Sequence, residues 1–215
     1  MNKDIFKVLS LLLSYPDENL QESAPDVISF LKDRSILSPD LTERLIAFTK
    51  NILTSDLLDT QSSYVSHFDQ TRMLSLYLFE HIHGDSRDRG QAMVDLRRLY
   101  EEHGLVMESH EFPDYLPLFL EFISTVSDAK SASLLNDVRL LVGLLLERLI
   151  QRRSSYSIVF EAILALTPEA KTETILDPVS PQDEPAGTGD EMWEETPVRF
   201  NADSLQTRGC AGGVL

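Results

Sequence analysis

Apolar residues recur along the first 167 positions at the three- and four-residue spacing of one helix face. The most regular stretch, residues 133–152, repeats such a face over about five turns, with charged side chains among the outward positions. Its apolar positions are Leu134, Val138, Leu141, Leu145 and Leu149. No convincing run of alternating strand residues interrupts the pattern. The sequence therefore predicts an all-α fold with a single helical domain over residues 1–167.

Several helix boundaries are indicated by residues that favour helix ends. Ser38-Pro39-Asp40 has the order of a helix start: a cap, a proline in the first turn, and an acid at the positive end of the dipole. Gly104 is expected to end a helix in a left-handed turn. Pro113-Asp114 predicts another helix start, with Asp114 as a first-turn carboxylate.

Residues 76–93 interrupt this regularity, and no periodic helix explains them. Glu80 and two histidines flanking Ile82 are followed by alternating acidic and basic residues between Gly84 and Gly90. A segment dense in glycine, charge and imidazole between regular helices is expected to carry the function. Locally, the charges could form a helix-entry network, or the arginines could brace a loop beside an apolar groove.

The composition changes after residue 167. Residues 168–215 contain half of the ten prolines, more than half of the nine glycines, and ten acidic against three basic residues. Such a segment has too little apolar surface to offset its ordering entropy, so we expect a mobile, largely disordered acidic tail. Residues 193–200 hold the only tryptophan, near Val198 and Phe200. They are either incidental aromatics in a solvated tail or a short docking segment.

The formal net charge of −16, from 19 basic and 35 acidic residues, argues against a nucleic-acid partner. It would steer a basic partner toward the protein. The single cysteine, Cys210, excludes an internal disulfide and an all-cysteine metal site. The sequence has neither a secretory cleavage site near its start nor an apolar run of about 20 residues. We therefore expect a cytoplasmic protein without a membrane span.

An enzyme hypothesis would centre on His81, His83 and Asp85, which together could ligate the metal of a hydrolase. Positions i and i+2 of a helix diverge by about 200°, so only a loop or strand would aim both rings at one ion. The His-Glu-x-x-His pattern of metalloproteases, the nucleophile elbow and the P-loop are all absent from the sequence. A metal-dependent hydrolase is therefore the alternative rather than the leading hypothesis, and no stably bound cofactor is expected.

Two motifs carry a resemblance to a known family. Residues 79–93 (FEHIHGDSRDRGQAM) and 111–117 (EFPDYLP) resemble the assembly chaperones of respiratory nitrate reductase, the NarJ family. This family is a branch of the wider TorD/DmsD group of redox-enzyme maturation proteins. Further matches extend the resemblance over most of the chain: residues 12–17 (LLSYPD), Tyr64 with Phe68-Asp69, and residues 193–195 (WEE).

The resemblance implies a chaperone and not an enzyme. Members of the family are all-helical and cytoplasmic, and they bind the N-terminal segment of the catalytic (alpha) subunit of nitrate reductase, a remnant of a twin-arginine signal. They hold that subunit until the molybdenum cofactor is inserted and the membrane anchor subunit is ready. The implied partners are this subunit and the cofactor-insertion machinery. A generic helical module for an unrelated amphipathic peptide is the second alternative.

The family's peptide groove lies near two motifs that correspond here to residues 79–89 and 113–115. The second motif is usually Pro-Asp-His, and Tyr115 replaces its histidine, which keeps an aromatic ring but removes the titrating imidazole. Acidic residues in and near these motifs are expected to contact a cation on the peptide. Apolar residues there are expected to bury its apolar face. The expected peptide-binding residues are Leu76, Phe79, Glu80, His81, His83, Gly84, Arg87, Asp88, Arg89, Glu111, Pro113, Asp114, Tyr115, Leu116 and Phe119.

Overall fold

The structure, a computed structural model, describes residues 3–82, 88–107 and 111–168. In these ranges the chain forms one 3-10 turn (Arg72–Leu74) and nine α-helices. The helices are α1 (Asp4–Leu13), α2 (Glu18–Asp33), α3 (Pro39–Thr54), α4 (Leu57–Phe68), α5 (Leu78–Ile82), α6 (Asp88–Glu102), α7 (Leu116–Thr125), α8 (Asp128–Gln151) and α9 (Ser157–Leu166). The same ranges contain no β-strand, so the predicted all-α fold is confirmed there.

The tail was predicted to begin at residue 168. Apart from Pro168, that tail and its segment 193–200 lie outside the described residues. The division into a helical domain and an acidic tail therefore stays a prediction.

α1 and α7 lie at the centre of the helical core. They pack along each other, and α1 also packs against α9. Their facing side chains are fully buried, including Phe6 on α1 and Phe122 on α7. The Ser10 hydroxyl donates to the Pro117 carbonyl at 2.7 Å, which fixes the middle of α1 against the first turn of α7.

The predicted leucine face of α8 is confirmed, because all five of its apolar positions are buried. α8 begins at Asp128, earlier than the predicted residue 133. The Ser127 hydroxyl accepts the Lys130 N–H, and the buried Ser131 hydroxyl donates to the Ile123 carbonyl at 2.9 Å. These polar contacts add a turn that the hydrophobic pattern does not reveal.

Two predicted helix ends are confirmed and one is wrong. Ser38 caps α3 by accepting the Leu41 N–H, and Gly104 adopts a φ of 80° after α6. The helix predicted to start at Pro113-Asp114 instead begins at Leu116. The reason is tertiary: Tyr115 forms an isolated antiparallel bridge with Tyr77, which keeps the preceding backbone out of the helix.

Residues 76–93 are more helical than the sequence indicated. α5 covers Leu78–Ile82, and α6 already begins at Asp88. A five-residue helix is too short to show a period, and Tyr100 is the one buried residue among those of α6. Both helices are therefore held by tertiary contacts rather than by a broad apolar face.

α8 is the longest of the described helices, with 24 residues. Charged side chains, among them Arg139, Glu147 and Arg148, interrupt its apolar sequence. Within the part of the chain that the structure describes, no helix combines the length and apolar character needed to cross a membrane.

Two glycines provide a matched test of the helix assignments. Ala at Gly104 would have to adopt the left-handed conformation, so G104A should lower the free energy of unfolding by about 1 kcal/mol. Gly143 lies inside α8, and a Cβ there meets no atom within 4 Å. G143A should therefore raise the free energy of unfolding by about 0.5–1 kcal/mol. Urea unfolding of both variants measures these changes, and shifts in the same direction would contradict the assignments.

Candidate functional site

The isolated bridge between Tyr77 and Tyr115 joins the second predicted motif to the backbone just before the first one. The Leu78 N–H donates to the Asp114 carbonyl at 2.9 Å, and the Leu116 N–H donates to the Leu76 carbonyl at 2.8 Å. The backbone immediately before α5 is thereby tied to the backbone immediately before α7. Segments that are distant in sequence thus form one local structure, which we call the Tyr77–Tyr115 bridge.

Asp114 is fully buried beside this bridge. Its Oδ2 accepts the Phe79 N–H at 3.0 Å, which satisfies one of the free donors at the start of α5. Its Oδ1 has no hydrogen-bond partner among the described residues. Burial raises the pKa of the Asp114 carboxyl above its ordinary value, although the Phe79 bond and the Arg89 charge oppose the rise. These contacts are internal, and a direct contact between Asp114 and a peptide cation stays a prediction.

Arg89 and Glu80 join α6 to α5. Arg89 Nη2 lies 3.3 Å from Glu80 Oε1, and both side chains are about a quarter exposed. Because the pair is partly shielded from water, it holds the two helices together more strongly than a fully exposed ion pair would. Two of the predicted site residues therefore position the first turn of α6.

His81 forms a hydrogen bond with the backbone of the segment before α5. Its Nε2 lies 2.8 Å from the Ser75 carbonyl and must donate to it. Burial, and to a smaller extent the Arg148 charge, lowers the pKa of His81, while the Ser75 bond and Glu80 oppose this. The neutral ring consequently serves as a structural donor.

The metal hypothesis gains no support from the part of the chain that is described. His83 and Asp85, with Gly84 and Arg87, lie outside the described residues. Among those that are described, no group of three histidine, cysteine or acidic side chains could hold a metal ion. Since two of the three proposed ligands lie outside these ranges, the structure does not test the hydrolase alternative.

Tyr115 takes part in a chain of hydroxyl groups. The buried Tyr64 hydroxyl donates to the Leu13 carbonyl at 2.9 Å, so it accepts from the Tyr115 hydroxyl, 3.0 Å away. Burial raises the pKa of Tyr115 to about 12, so the donor keeps its proton at neutral pH. Tyr115 thus links the bridge to α4 and to the end of α1.

A groove of about 250 Å³ opens beside the bridge, and we call it the tyrosine groove. Its lining combines aromatic rings with two carboxylates: Tyr15, Tyr64, Phe68, Asp69, Leu76, Tyr77, Glu111 and Tyr115. The sequence predicted three of these as site residues, namely Leu76, Glu111 and Tyr115. It missed the others, although residues 12–17 and the Tyr64/Phe68-Asp69 match were already among those that carry the family resemblance.

The other predicted residues are distributed between the core and the surface. Leu116 and Phe119 are buried in the core, Phe79 is half-buried against it, and Asp88 is exposed at the start of α6. Pro113 is buried, and its carbonyl accepts the Tyr100 hydroxyl at 2.7 Å. The structure thus brings together one set at the tyrosine groove and another around the start of α5. Their role in peptide binding stays a prediction.

Comparison with a solved structure defines the class of fold. A protein of Archaeoglobus fulgidus described as a "Putative Redox Enzyme Maturation Protein" has a TM-score of 0.56 to this chain. The match covers 76% of this chain and 92% of that protein, at 21% sequence identity. At this identity the likeness shows a shared helical fold and nothing more specific.

Sequence comparison then identifies the family. The model of the nitrate reductase delta subunit family matches residues 36–160. The Escherichia coli K12 nitrate reductase molybdenum cofactor assembly chaperone NarJ is 36% identical over 211 residues, or 97% of this chain and 88% of NarJ. The "Probable nitrate reductase molybdenum cofactor assembly chaperone NarW" of the same organism is 39% identical over 203 residues, or 93% and 85%. This chain belongs to the nitrate reductase delta subunit family, and the resemblance to NarJ is confirmed.

Replacement of Asp114 by asparagine tests the consequence of burying its carboxyl. D114N keeps an oxygen for the Phe79 N–H but cannot ionise. Because the pKa of Asp114 is raised in the folded chain, the folded state holds this proton more tightly, and wild-type stability falls as pH rises through that pKa. The free energy of unfolding of D114N relative to wild type should therefore increase between about pH 4 and about pH 7. Urea unfolding at several pH values measures this, and a difference that stays constant or decreases would contradict it.

Proposed function

We propose that this chain is an assembly chaperone of nitrate reductase that assists insertion of the molybdenum cofactor into the catalytic subunit. The observation that carries the proposal is its 36% identity to NarJ along 97% of the chain. NarW supports it with 39% identity along 93%. Since each match covers most of both proteins, the inference concerns the whole chain and not one shared segment.

The finer proposal is that the chaperone binds the N-terminal segment of the catalytic subunit. It holds the subunit until the cofactor is inserted and the membrane complex is assembled. The formal charge of −16 favours a basic, partly apolar leader over an acidic one. Half-buried Phe79 and the rings of the tyrosine groove provide apolar contacts for such a segment. A cytoplasmic location and the cofactor-insertion machinery as a second partner, both implied by the resemblance, belong to the same proposal.

The molybdenum cofactor is the cargo of the client in this proposal. The tyrosine groove, at about 250 Å³, is smaller than the roughly 300–1,000 Å³ of pockets that enclose drug-sized ligands. Its size therefore suits a peptide side chain better than an organic cofactor. We assign the groove to recognition of the client and not to the cofactor.

Titration calorimetry with a synthetic peptide from the N-terminus of the catalytic subunit tests the proposal. Wild-type protein should bind it saturably, and more weakly at higher salt because salt screens the attraction of the basic peptide. F79A should weaken binding by roughly tenfold, the loss expected for an aromatic anchor. L140A, which removes an exposed leucine from α8, is the control and should bind as wild type does.

Unfolding curves must accompany the F79A measurement, because Phe79 also packs against the core. If wild-type protein fails to bind at either salt concentration, the peptide-binding proposal fails. Equal affinity for an unrelated amphipathic peptide would instead support the generic helical module.

A further inference from the structure

Two carboxylates face the tyrosine groove. Asp69 follows the last turn of α4, and Glu111 precedes the Tyr77–Tyr115 bridge. Neither forms a salt bridge with a basic side chain of the described residues. Glu161 on α9, by contrast, pairs with Arg44 at 2.7 Å. The groove therefore contains two carboxylates, and no basic side chain of the described residues forms a salt bridge with either of them.

The charge of Glu111 also acts on Asp69. Burial, and then the charge of Glu111, raises the pKa of Asp69 above its ordinary value. This direction means that the ionised form of Asp69 is disfavoured when no cation lies beside it. A positive charge placed between the two groups would relieve the repulsion.

Aromatic rings complete the lining around these acids. Tyr15 is 48% exposed at the edge of the groove, and its ring centroid lies 5.6 Å from that of Tyr64. The ring centroids of Tyr77 and Tyr115 lie 5.4 Å apart, and the Tyr77 hydroxyl donates to Glu111 Oε2 at 2.7 Å. Aromatic faces attract cations, and a planar guanidinium can both stack on a ring and bond to a carboxylate.

We propose that the tyrosine groove is a subsite for one cationic side chain of the bound segment, best met by the guanidinium of an arginine between Asp69 and Glu111. This inference rests on the proposed function, because the side chain belongs to the client's N-terminal segment. The volume of about 250 Å³ admits a side chain and excludes a whole folded element. Charge complementarity makes the occupant cationic, and the tyrosine rings favour guanidinium over ammonium.

A double-mutant cycle between the protein and the peptide tests the subsite. The protein variant is D69N/E111Q, which removes both charges, while the side-chain amide oxygen that E111Q introduces can still accept the Tyr77 hydroxyl. In the peptide, each arginine is replaced in turn by citrulline and each lysine by acetyllysine, so one charge is lost and the length is kept. The control variant E22Q/D26N makes the same charge change at two exposed positions of α2.

We expect D69N/E111Q to weaken binding of the native peptide by about tenfold, as for a close charge pair, and E22Q/D26N to have little effect. One neutral replacement in the peptide should cost wild-type protein a similar factor and cost D69N/E111Q nothing further. If every peptide replacement costs D69N/E111Q as much as wild type, the subsite is wrong although the peptide binds. If D69N/E111Q and E22Q/D26N lose the same amount of affinity for the native peptide, the effect is one of net charge. That result would also overturn the subsite.

A second probe tests the subsite independently of the identity of the client. If wild-type protein does not bind the peptide, the peptide-binding part of the proposed function fails. The groove is then titrated with ethylguanidinium in the full chain carrying fluorotyrosine. Saturable fluorine shifts in wild type that are absent from D69N/E111Q would support the cation subsite. Equal shift changes in the two proteins during the titration, or no shift change in wild type, would overturn it.

Discussion

The site depends on the Tyr77–Tyr115 bridge. Two backbone hydrogen bonds of 2.8 and 2.9 Å tie the entry to α5 to the entry to α7, and such bonds contribute only about 0.5–1.5 kcal/mol each. They persist because neighbouring side chains hold both segments of the bridge in place. Tyr100 binds the Pro113 carbonyl from α6, and Arg148 of α8 donates to the Met73 carbonyl just before the bridge.

The bridge separates two kinds of acidic residue. Asp114 is buried beside it and accepts the Phe79 N–H, so its carboxyl group organises the start of α5. Asp69 and Glu111 instead face the tyrosine groove, where solvent and a ligand can reach them. The internal role of Asp114 is thus separate from the recognition role proposed for Asp69 and Glu111. The sequence grouped Asp114 with Glu111 and did not include Asp69.

The helices were largely predictable because an amphipathic period is a local property, as the leucine face of α8 illustrates. The start of α7 was not predictable in this way. Pro113-Asp114 is a typical local signal for a helix start, but the pairing of Tyr115 with Tyr77 prevents a helix from beginning there. Tyr15 and Asp69 reach the groove only through tertiary packing, in which the Tyr64 hydroxyl binds the Leu13 carbonyl. Spacing cannot reveal such contacts. The motif matches included the segments of Tyr15 and Asp69 but assigned no role to either residue.

Hydrogen–deuterium exchange of the full chain, with and without the N-terminal peptide of the catalytic subunit, tests the central claim most directly. That claim is that the client segment is bound where the two motifs meet at the bridge. With saturating peptide we expect slower exchange at residues 64–69, 76–82 and 111–116, and no change in α2. Protection confined to α2 and α3, or no protection at saturation, would contradict it.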